Sequence, residues 1–267
     1  MVLKVCIAGV TGGVGRALVA AVEASAEFSL VGAVARSVAG QDVGHALGGE
    51  RTGLKVSATL EEALGAETDV LIDYTHPDAI LGHIDVAFGR GVAVVIGTTG
   101  LMNADFEAID AKARAAGLGA ATGNFSLTAA LLQHFALEAA KHLETFEVFD
   151  FCKFDKPDAP SGTARELAEK LAHVRKPEIG VPLDDIRGPR EARGATVEGV
   201  QCHSVRLPGF GSAVEVILGT GDERLTLRHD AISAGRPYVA GSLLAAQRIT
   251  ETTGLVRGLD TLLFGEP

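Results

Sequence analysis

VCIAGVTGGVGRAL, from Val5 to Leu18, passes from an apolar segment through a cluster of glycines into an Ala- and Leu-containing segment of helical period. Gly9, Gly12 and Gly15 fall where a first strand would turn into a first helix. Such a turn is tight, lets a ligand approach the backbone and opens onto the free amides of a helix N-terminus, which favour a pyrophosphate. The spacing is three and three rather than GxGxxG, so the motif takes its weight from the elements around it.

Those elements alternate. KVCIAGV, SLVGAVA, DVLIDYT and GVAVVIGTT are continuous apolar runs, separated by VGRALVAAVEAS, TLEEALGAE and HPDAILGHIDVAFGRG, which carry charge on one side and Leu, Ile or Val on the other. Continuous apolar strands joined by helices predict an α/β fold, a Rossmann-type doubly wound parallel sheet with both faces covered. After GNFSLTAALLQHFALEAAKHL, a long amphipathic helix, the pattern changes. TFEVFDFCKF leads into a loop, the helix ARELAEKLAHVRK and a Pro-, Gly- and Arg-rich connection, followed by the short alternating segments VQCHSVRL, SAVEVILGTG and ERLTLRHDAI. These predict an α+β mixed-sheet domain with one solvated or partner-covered face. The expected division is a dinucleotide-binding domain over 1–126 and 237–267, and a substrate-binding and oligomerisation domain over 127–236. VAGSLLAAQRITETTGL reads as one closing helix.

With 267 residues, 47% of them hydrophobic and only 5% aromatic, the chain can bury two cores. A net charge of -10 excludes general affinity for nucleic acid or anionic membranes, yet leaves room for a local basic pocket. Cys6, Cys152 and Cys202 are odd in number and form no CxxC pair, which argues against a disulfide framework and a zinc site and for a reducing, cytoplasmic setting. No HxxxH or acidic cluster suggests a metal. The N-terminal apolar run enters the glycine turn at once and reads as a strand, not a leader or a membrane span.

The end of the second strand decides which dinucleotide fits, because a carboxylate there accepts from the ribose 2′-hydroxyl and repels a 2′-phosphate. Here VGAVARS places Ala35 where the acid is expected, followed by Arg36 and Ser37. A guanidinium and a hydroxyl suit a phosphate, so NADPH is expected in preference to NADH, which remains the second candidate. VVIGTTG and TGNFS end two further apolar segments, where the carboxyl ends of parallel strands line a ligand crevice.

A third turn, KPDAPSGTA, combines prolines, small residues and a glycine ahead of a helix, a surface suited to an anion. Together with IAGVTGGVGR, IDYTHP, VIGTTG, NFS and CHSVRL, it resembles the dihydrodipicolinate reductase family, the 4-hydroxy-tetrahydrodipicolinate reductases of lysine and diaminopimelate biosynthesis. The resemblance implies a homotetramer in which NAD(P)H reduces a small, cyclic, imine-like dicarboxylate. By position it implies cofactor contacts at Gly9, Val10, Thr11, Gly12, Gly13, Val14, Arg36, Ser37, Gly97, Thr98, Thr99, Thr122, Gly123, Asn124 and Phe125. It implies substrate contacts at Lys153, Ser161, Gly162, Thr163 and Thr99, with Lys156 as proton donor.

One part of the turn departs from the family. Where the pattern is ExHHxxK, this chain reads Asp150, Phe151, Cys152, Lys153, Phe154, Asp155, Lys156. Cys152 occupies the position of the catalytic histidine and Lys153 that of a substrate-contacting one. A thiol titrates near ~8.5 and an ammonium near ~10.4, whereas imidazole works near neutrality. Loss of a positioned acid or base lowers rates by roughly 100- to 10,000-fold. Lys153 retains a charge for a carboxylate, and Cys152 is read either as a donor or as a small packed hydrophobe. Two other readings stay open: a paralogue reducing a different imine or unsaturated dicarboxylate, and a catalytically weak NADPH-binding regulatory protein. His76 is expected to shape the crevice, and His203 and His229 to be structural.

Overall fold

The computed structural model describes residues 2–65 and 67–265, which form two compact units. One runs to Leu127 and resumes at Ala234; the other is Thr128–Ser233. In chain order the first unit contains β1 (Leu3–Ala8), α1 (Gly13–Glu23), β2 (Phe28–Val34), α2 (Val43–Leu47) and α3 (Leu60–Ala63). β3 (Val70–Asp73), α4 (Pro77–Gly89), β4 (Ala93–Ile96), α5 (Asn103–Ala116) and β5 (Gly119–Thr122) follow. Then come α6 (Leu127–Ala140), β6 (Thr145–Cys152), α7 (Gly162–Val174), β7 (Ala195–Val197), β8 (Val200–Arg206), β9 (Ser212–Gly219) and β10 (Arg224–Ala231). The chain closes with α8 (Val239–Ile249), β11 (Gly254–Arg257) and α9 (Leu259–Phe264).

The first unit is built on a six-stranded sheet in the order β11-β5-β4-β3-β1-β2, parallel throughout. Every residue of β3, β4 and β5 is buried, which is what helices on both faces require and why these segments read as unbroken apolar runs. Strand order reverses beside β1, so the loops leaving β1, β3 and β4 share one edge of the sheet.

Two features of this unit escaped the sequence pattern. The closing helix stops at Ile249 instead of running to Leu255, and Gly254–Arg257 pairs with Gly119–Thr122 as an added strand. The hydroxyls of Thr250 and Thr252 turn back onto the carbonyls of Gln247 and Ile249, 3.0 and 3.1 Å away, competing with helix continuation. The Leu255 amide is then caught by Asp110 Oδ1 at 2.8 Å. Asp110 lies on α5, a helix whose apolar stripe reduces to Ile109 and Ala113 as its buried residues and is correspondingly faint in the sequence.

In the second unit a five-stranded sheet has the order β10-β9-β6-β8-β7. β6 and β8 are parallel and the remaining pairs antiparallel, giving the mixed sheet expected. Along β6 the period of two directs Phe146, Val148, Asp150 and Cys152 inward. There Phe146 and Val148 meet Leu132, Ala136 and Leu137 of α6 and Leu167 and Leu171 of α7 in one core. Truncating either α7 leucine to alanine is expected to remove about 2 to 5 kcal/mol. Asp150 is the exception: it holds an inward position with no solvent exposure, where the pattern calls for an apolar residue.

Candidate functional site

Each unit carries candidate site residues of its own, and each set follows from its own sheet. In the first, β1 ends at Ala8 and the chain turns at once. The amides of Gly9 and Val10 donate to the Val34 carbonyl at 2.9 and 3.3 Å, and that of Gly12 to the Gly9 carbonyl at 3.0 Å. Gly9 sits at φ 86°, and a Cβ there would strike the Tyr74 carbonyl; a Cβ on Gly15 would strike the Gly9 carbonyl. Both positions therefore demand glycine. Gly12 and Gly13 lie exposed at the start of α1, with open space where a Cβ on Gly13 would stand. Arg16 braces the turn, its Nε donating to the Thr11 carbonyl at 3.0 Å and Nη1 to that of Leu47 at 3.3 Å.

A buried carboxylate ties the neighbouring loops. Asp73, at the end of β3, accepts from the Thr75 amide and hydroxyl at 2.9 and 2.6 Å and from the Thr98 hydroxyl at 3.0 Å. His83 Nδ1 lies 2.6 Å from its other oxygen. The same Thr98 hydroxyl accepts from the Thr75 amide at 3.0 Å, so the turns after β3 and β4 are fastened together. Tyr74, its hydroxyl 2.7 Å from Ser242 Oγ, is held by burial well above the ordinary phenol range. Arg36 and Ser37 are exposed in a short helical turn after β2, next to β1 in the sheet. His76 caps α4, its Nδ1 accepting from the Asp78 amide at 3.4 Å.

Residues expected to meet a cofactor thus gather at the carboxyl edge of one sheet, but not all present side chains there. Val10 and Phe125 are buried in the core and can offer backbone only, and Thr98 and Thr122 are nearly enclosed. Asn124 Oδ1 accepts from the Ser126 amide at 2.9 Å, shaping the turn after β5. Gly235 was not singled out in the sequence. A Cβ there would collide with the Gly13 carbonyl, so the stretch around it packs against the start of α1. The turn from Gly9 to Val14, whose Gly12 and Gly13 are exposed and carry no Cβ at the start of α1, fits a dinucleotide pyrophosphate.

The second set is organised around Asp150. Its carboxylate accepts from the Ser161 amide at 2.8 Å, the Ser161 hydroxyl at 2.7 Å, the Ser204 hydroxyl at 3.3 Å and Arg206 Nη2 at 2.7 Å. Burial alone would raise its pKa, but the hydrogen bonds from Ser161 and Arg206 outweigh it and hold the carboxyl below the ordinary range. The same Nη2 donates to the Asp158 carbonyl at 2.6 Å. Parallel pairing of β6 with β8 makes this possible, since Asp150 stands opposite Ser204 and Cys152 opposite Arg206.

Ser161 also caps α7, its hydroxyl accepting from the Ala164 amide at 3.4 Å. Gly162 and Thr163 are the first residues of that helix, and Gly162 is exposed with open space where a Cβ would be. The bond between Ala159 and Pro160 in the preceding turn is cis. Lys153 is exposed and 3.4 Å from Asp155. Lys156 Nζ lies 2.6 Å from Asp158 Oδ1, and that bond holds Asp158 below the ordinary carboxylate range.

Two expected roles change on these distances. Ser161, taken as a substrate contact, has its amide and hydroxyl committed to Asp150 and to the cap. Cys152 is fully buried, its thiol donating to Asp150 Oδ1 at 3.4 Å. Burial, the nearby carboxylate charge and that hydrogen bond push the thiol up, the opposite of what an acid near neutrality needs. Of the two readings the sequence left open, the packed group is the one this environment favours. His203 stacks on Phe149 and lies 2.7 Å from Glu147, and His229 lies 2.8 Å from the Thr128 hydroxyl, both structural settings. Asp150, Ser204 and Arg206 carry no role in the sequence reading, although Asp150 stands at the acid of the family motif and Ser204 and Arg206 lie within CHSVRL; nothing in either segment says that they meet.

Comparison with known proteins matches both halves. A family model described as dihydrodipicolinate reductase, N-terminus, covers residues 3–125, and one described as dihydrodipicolinate reductase, C-terminus, covers 128–263. The 4-hydroxy-tetrahydrodipicolinate reductase of Desulfitobacterium hafniense is 36% identical over 264 residues, covering 98% of both chains. That of Synechococcus elongatus is 38% identical over 272 residues, again covering 98% of each. The solved structure of dipicolinate-bound dihydrodipicolinate reductase from Paenisporosarcina sp. TG-14 superposes with a TM-score of 0.83 at 30% identity, covering 98% of this chain and 99% of that one. From its first strand to its last helix, the chain belongs to the dihydrodipicolinate reductase family.

Proposed function

We propose that this chain is an NAD(P)H-dependent reductase of the 4-hydroxy-tetrahydrodipicolinate type, reducing a small cyclic, imine-like dicarboxylate in lysine and diaminopimelate biosynthesis. The observation that carries the reading is the turn ahead of α7, locked from behind by Asp150 and offering the amides of Gly162 and Thr163 at a helix N-terminus. Those amides suit one substrate carboxylate. Lys153, exposed beside the same turn, suits the second, and Thr99 supplies a hydroxyl on the loop after β4.

A reduced nicotinamide, when bound, supplies the hydride. Gly9 to Val14 would receive its pyrophosphate, and the loops Gly97–Thr99 and Thr122–Phe125 would flank it. Arg36 and Ser37, with no carboxylate at Ala35, support NADPH over NADH. Lys156 is the donor of the accompanying proton: its Nζ is held 2.6 Å from Asp158 Oδ1, and losing one proton leaves a neutral amine beside that carboxylate. Cys152 serves as packing beneath the turn.

The chain works as a homotetramer in this reading. The outward face of β6 supports it: Phe149 and Phe151 alternate with inward residues, and Arg228 lies 4.7 Å over the Phe151 ring, an amphipathic surface suited to a second copy. Three buried free cysteines suit a reducing cytoplasm. Among the described residues, no helix is long and apolar enough to cross a membrane.

Oxidation of NADPH by purified protein in the presence of the tetrahydrodipicolinate precursor tests the reading. Turnover at ordinary enzyme rates is the expected result; NADPH binding with no reduction of that or related imino dicarboxylates would overturn it in favour of a binding protein. Introducing C152H and K153H together asks whether the imidazole pair is dispensable. A large gain would mean that the present residues serve another substrate.

A further inference from the structure

We infer that Asp150 is a positioning residue that sets both working ends of this turn: the amides of Gly162 and Thr163 through Ser161, and the Lys156 ammonium through Arg206 and Asp158. The inference rests on the reading of those three residues given above and extends it to a group buried behind them.

One arm is short. Asp150 takes both the amide and the hydroxyl of Ser161, at 2.8 and 2.7 Å, and the Ser161 carbonyl accepts from the Arg165 amide at 2.9 Å. The residue immediately before Gly162 is therefore fixed at three points, and the direction of the first amides of α7 is fixed with it. The other arm is longer. Arg206 Nη2 bridges Asp150 Oδ2 at 2.7 Å and the Asp158 carbonyl at 2.6 Å, and Asp158 Oδ1 holds Lys156 Nζ at 2.6 Å. Both arms end on one carboxylate.

Stability alone does not account for this arrangement. An N-cap needs only the Ser161 hydroxyl, and the other inward positions of β6 with large side chains are the apolar Phe146 and Val148. Burying a charge costs several kcal/mol that an apolar residue of similar volume would not incur. What a carboxylate adds is two acceptor oxygens with fixed directions: Oδ1 takes the Ser161 hydroxyl, and Oδ2 takes both the Ser161 amide and Arg206 Nη2, so the two arms are joined at one atom.

The test compares wild type with Asp150→Asn, Asp150→Glu, Ser161→Ala and Arg206→Gln. Dipicolinate and NADPH binding are measured by calorimetry, kcat and KM across pH, and thermal midpoints alongside. In Asp150→Asn, NADPH affinity should stay unchanged while dipicolinate affinity falls about 10- to 100-fold, the loss of one or two charge-assisted hydrogen bonds. Asp150→Glu should recover part of it. Ser161→Ala should act mainly on KM and dipicolinate affinity; Arg206→Gln should act mainly on kcat and move the basic limb of its pH profile. A folded Asp150→Asn with wild-type dipicolinate affinity and kcat would overturn the inference. Should that variant not fold, equal proportional losses in KM and kcat for Ser161→Ala and Arg206→Gln, tracking their thermal midpoints, would overturn it instead. A wild type that bound no dipicolinate would sink the functional reading and this inference together, a result distinct from variants that merely behave like wild type.

Discussion

At the end of β1 the chain enters α1 through glycines; at the end of β6 it enters α7 through a longer turn wrapped around a buried carboxylate. Both turns bring helix N-terminal amides to the carboxyl end of a strand. The first is held by shape, because backbone fills the space where Cβ atoms of Gly9 and Gly15 would stand. The second is held by charge, because Asp150 gathers Ser161, Ser204 and Arg206. Shape responds to added volume and charge to a lost partner, so different substitutions should break each.

The largest effect is expected on the charged side. Asp150→Ala leaves Arg206 nearly buried without its carboxylate, and unfolding stability of the second unit should fall by about 3 to 5 kcal/mol, measured by denaturant titration. On the shaped side, Gly9→Ala adds a Cβ at positive φ against the Tyr74 carbonyl. Strain and overpacking together should cost on the order of 2 to 3 kcal/mol, with nucleotide affinity falling while dipicolinate affinity holds. If either substitution weakened both ligands equally, the division into two independent constructions would fail. A smaller effect should follow Arg36→Ala: the ratio of NADPH to NADH affinity should drop by roughly 10- to 100-fold, with NADH binding itself unaffected.

The shaped half was the more legible from sequence. A glycine excluded by a neighbouring backbone leaves a mark at its own position, and continuous apolar runs announce a parallel sheet before its order is known. The charged half left its members in two separate segments, Asp150 in the family motif and Ser204 and Arg206 in CHSVRL, with no sign of their meeting. Asp150 and Arg206 are 56 residues apart and meet because β6 and β8 pair in parallel, a register that no local pattern encodes. β11 was hidden for a related reason: four residues, two of them partly buried and one exposed, acquire strand geometry only because β5 leaves an edge to pair with. The replacement of the histidine pair was plain in the sequence. That Cys152 lies inside the Asp150 network, with its thiol pushed up, follows from the inward phase of β6, which the alternation contains but the quoted motif does not.

The smallest effect separates the two constructions most cleanly, because it depends on protons alone. Asp150 is held below the ordinary carboxylate range in the folded chain, so it stabilises the fold fully above its unfolded pKa of about 3.9, and that contribution is lost as pH falls through the lower folded value. The difference in unfolding free energy between wild type and Asp150→Asn should accordingly be constant from about pH 7 to 5 and shrink below about pH 4. Other carboxylates, such as Asp158, titrate in both proteins and cancel in the difference. The corresponding difference for Gly9→Ala, where no titrating group is changed, should stay flat throughout. A flat difference for Asp150→Asn as well would mean that folding leaves the carboxyl's pKa unchanged, and a difference that grew as pH fell would mean that the native state holds it protonated; either result would remove the charge stabilisation that distinguishes this turn from the glycine turn.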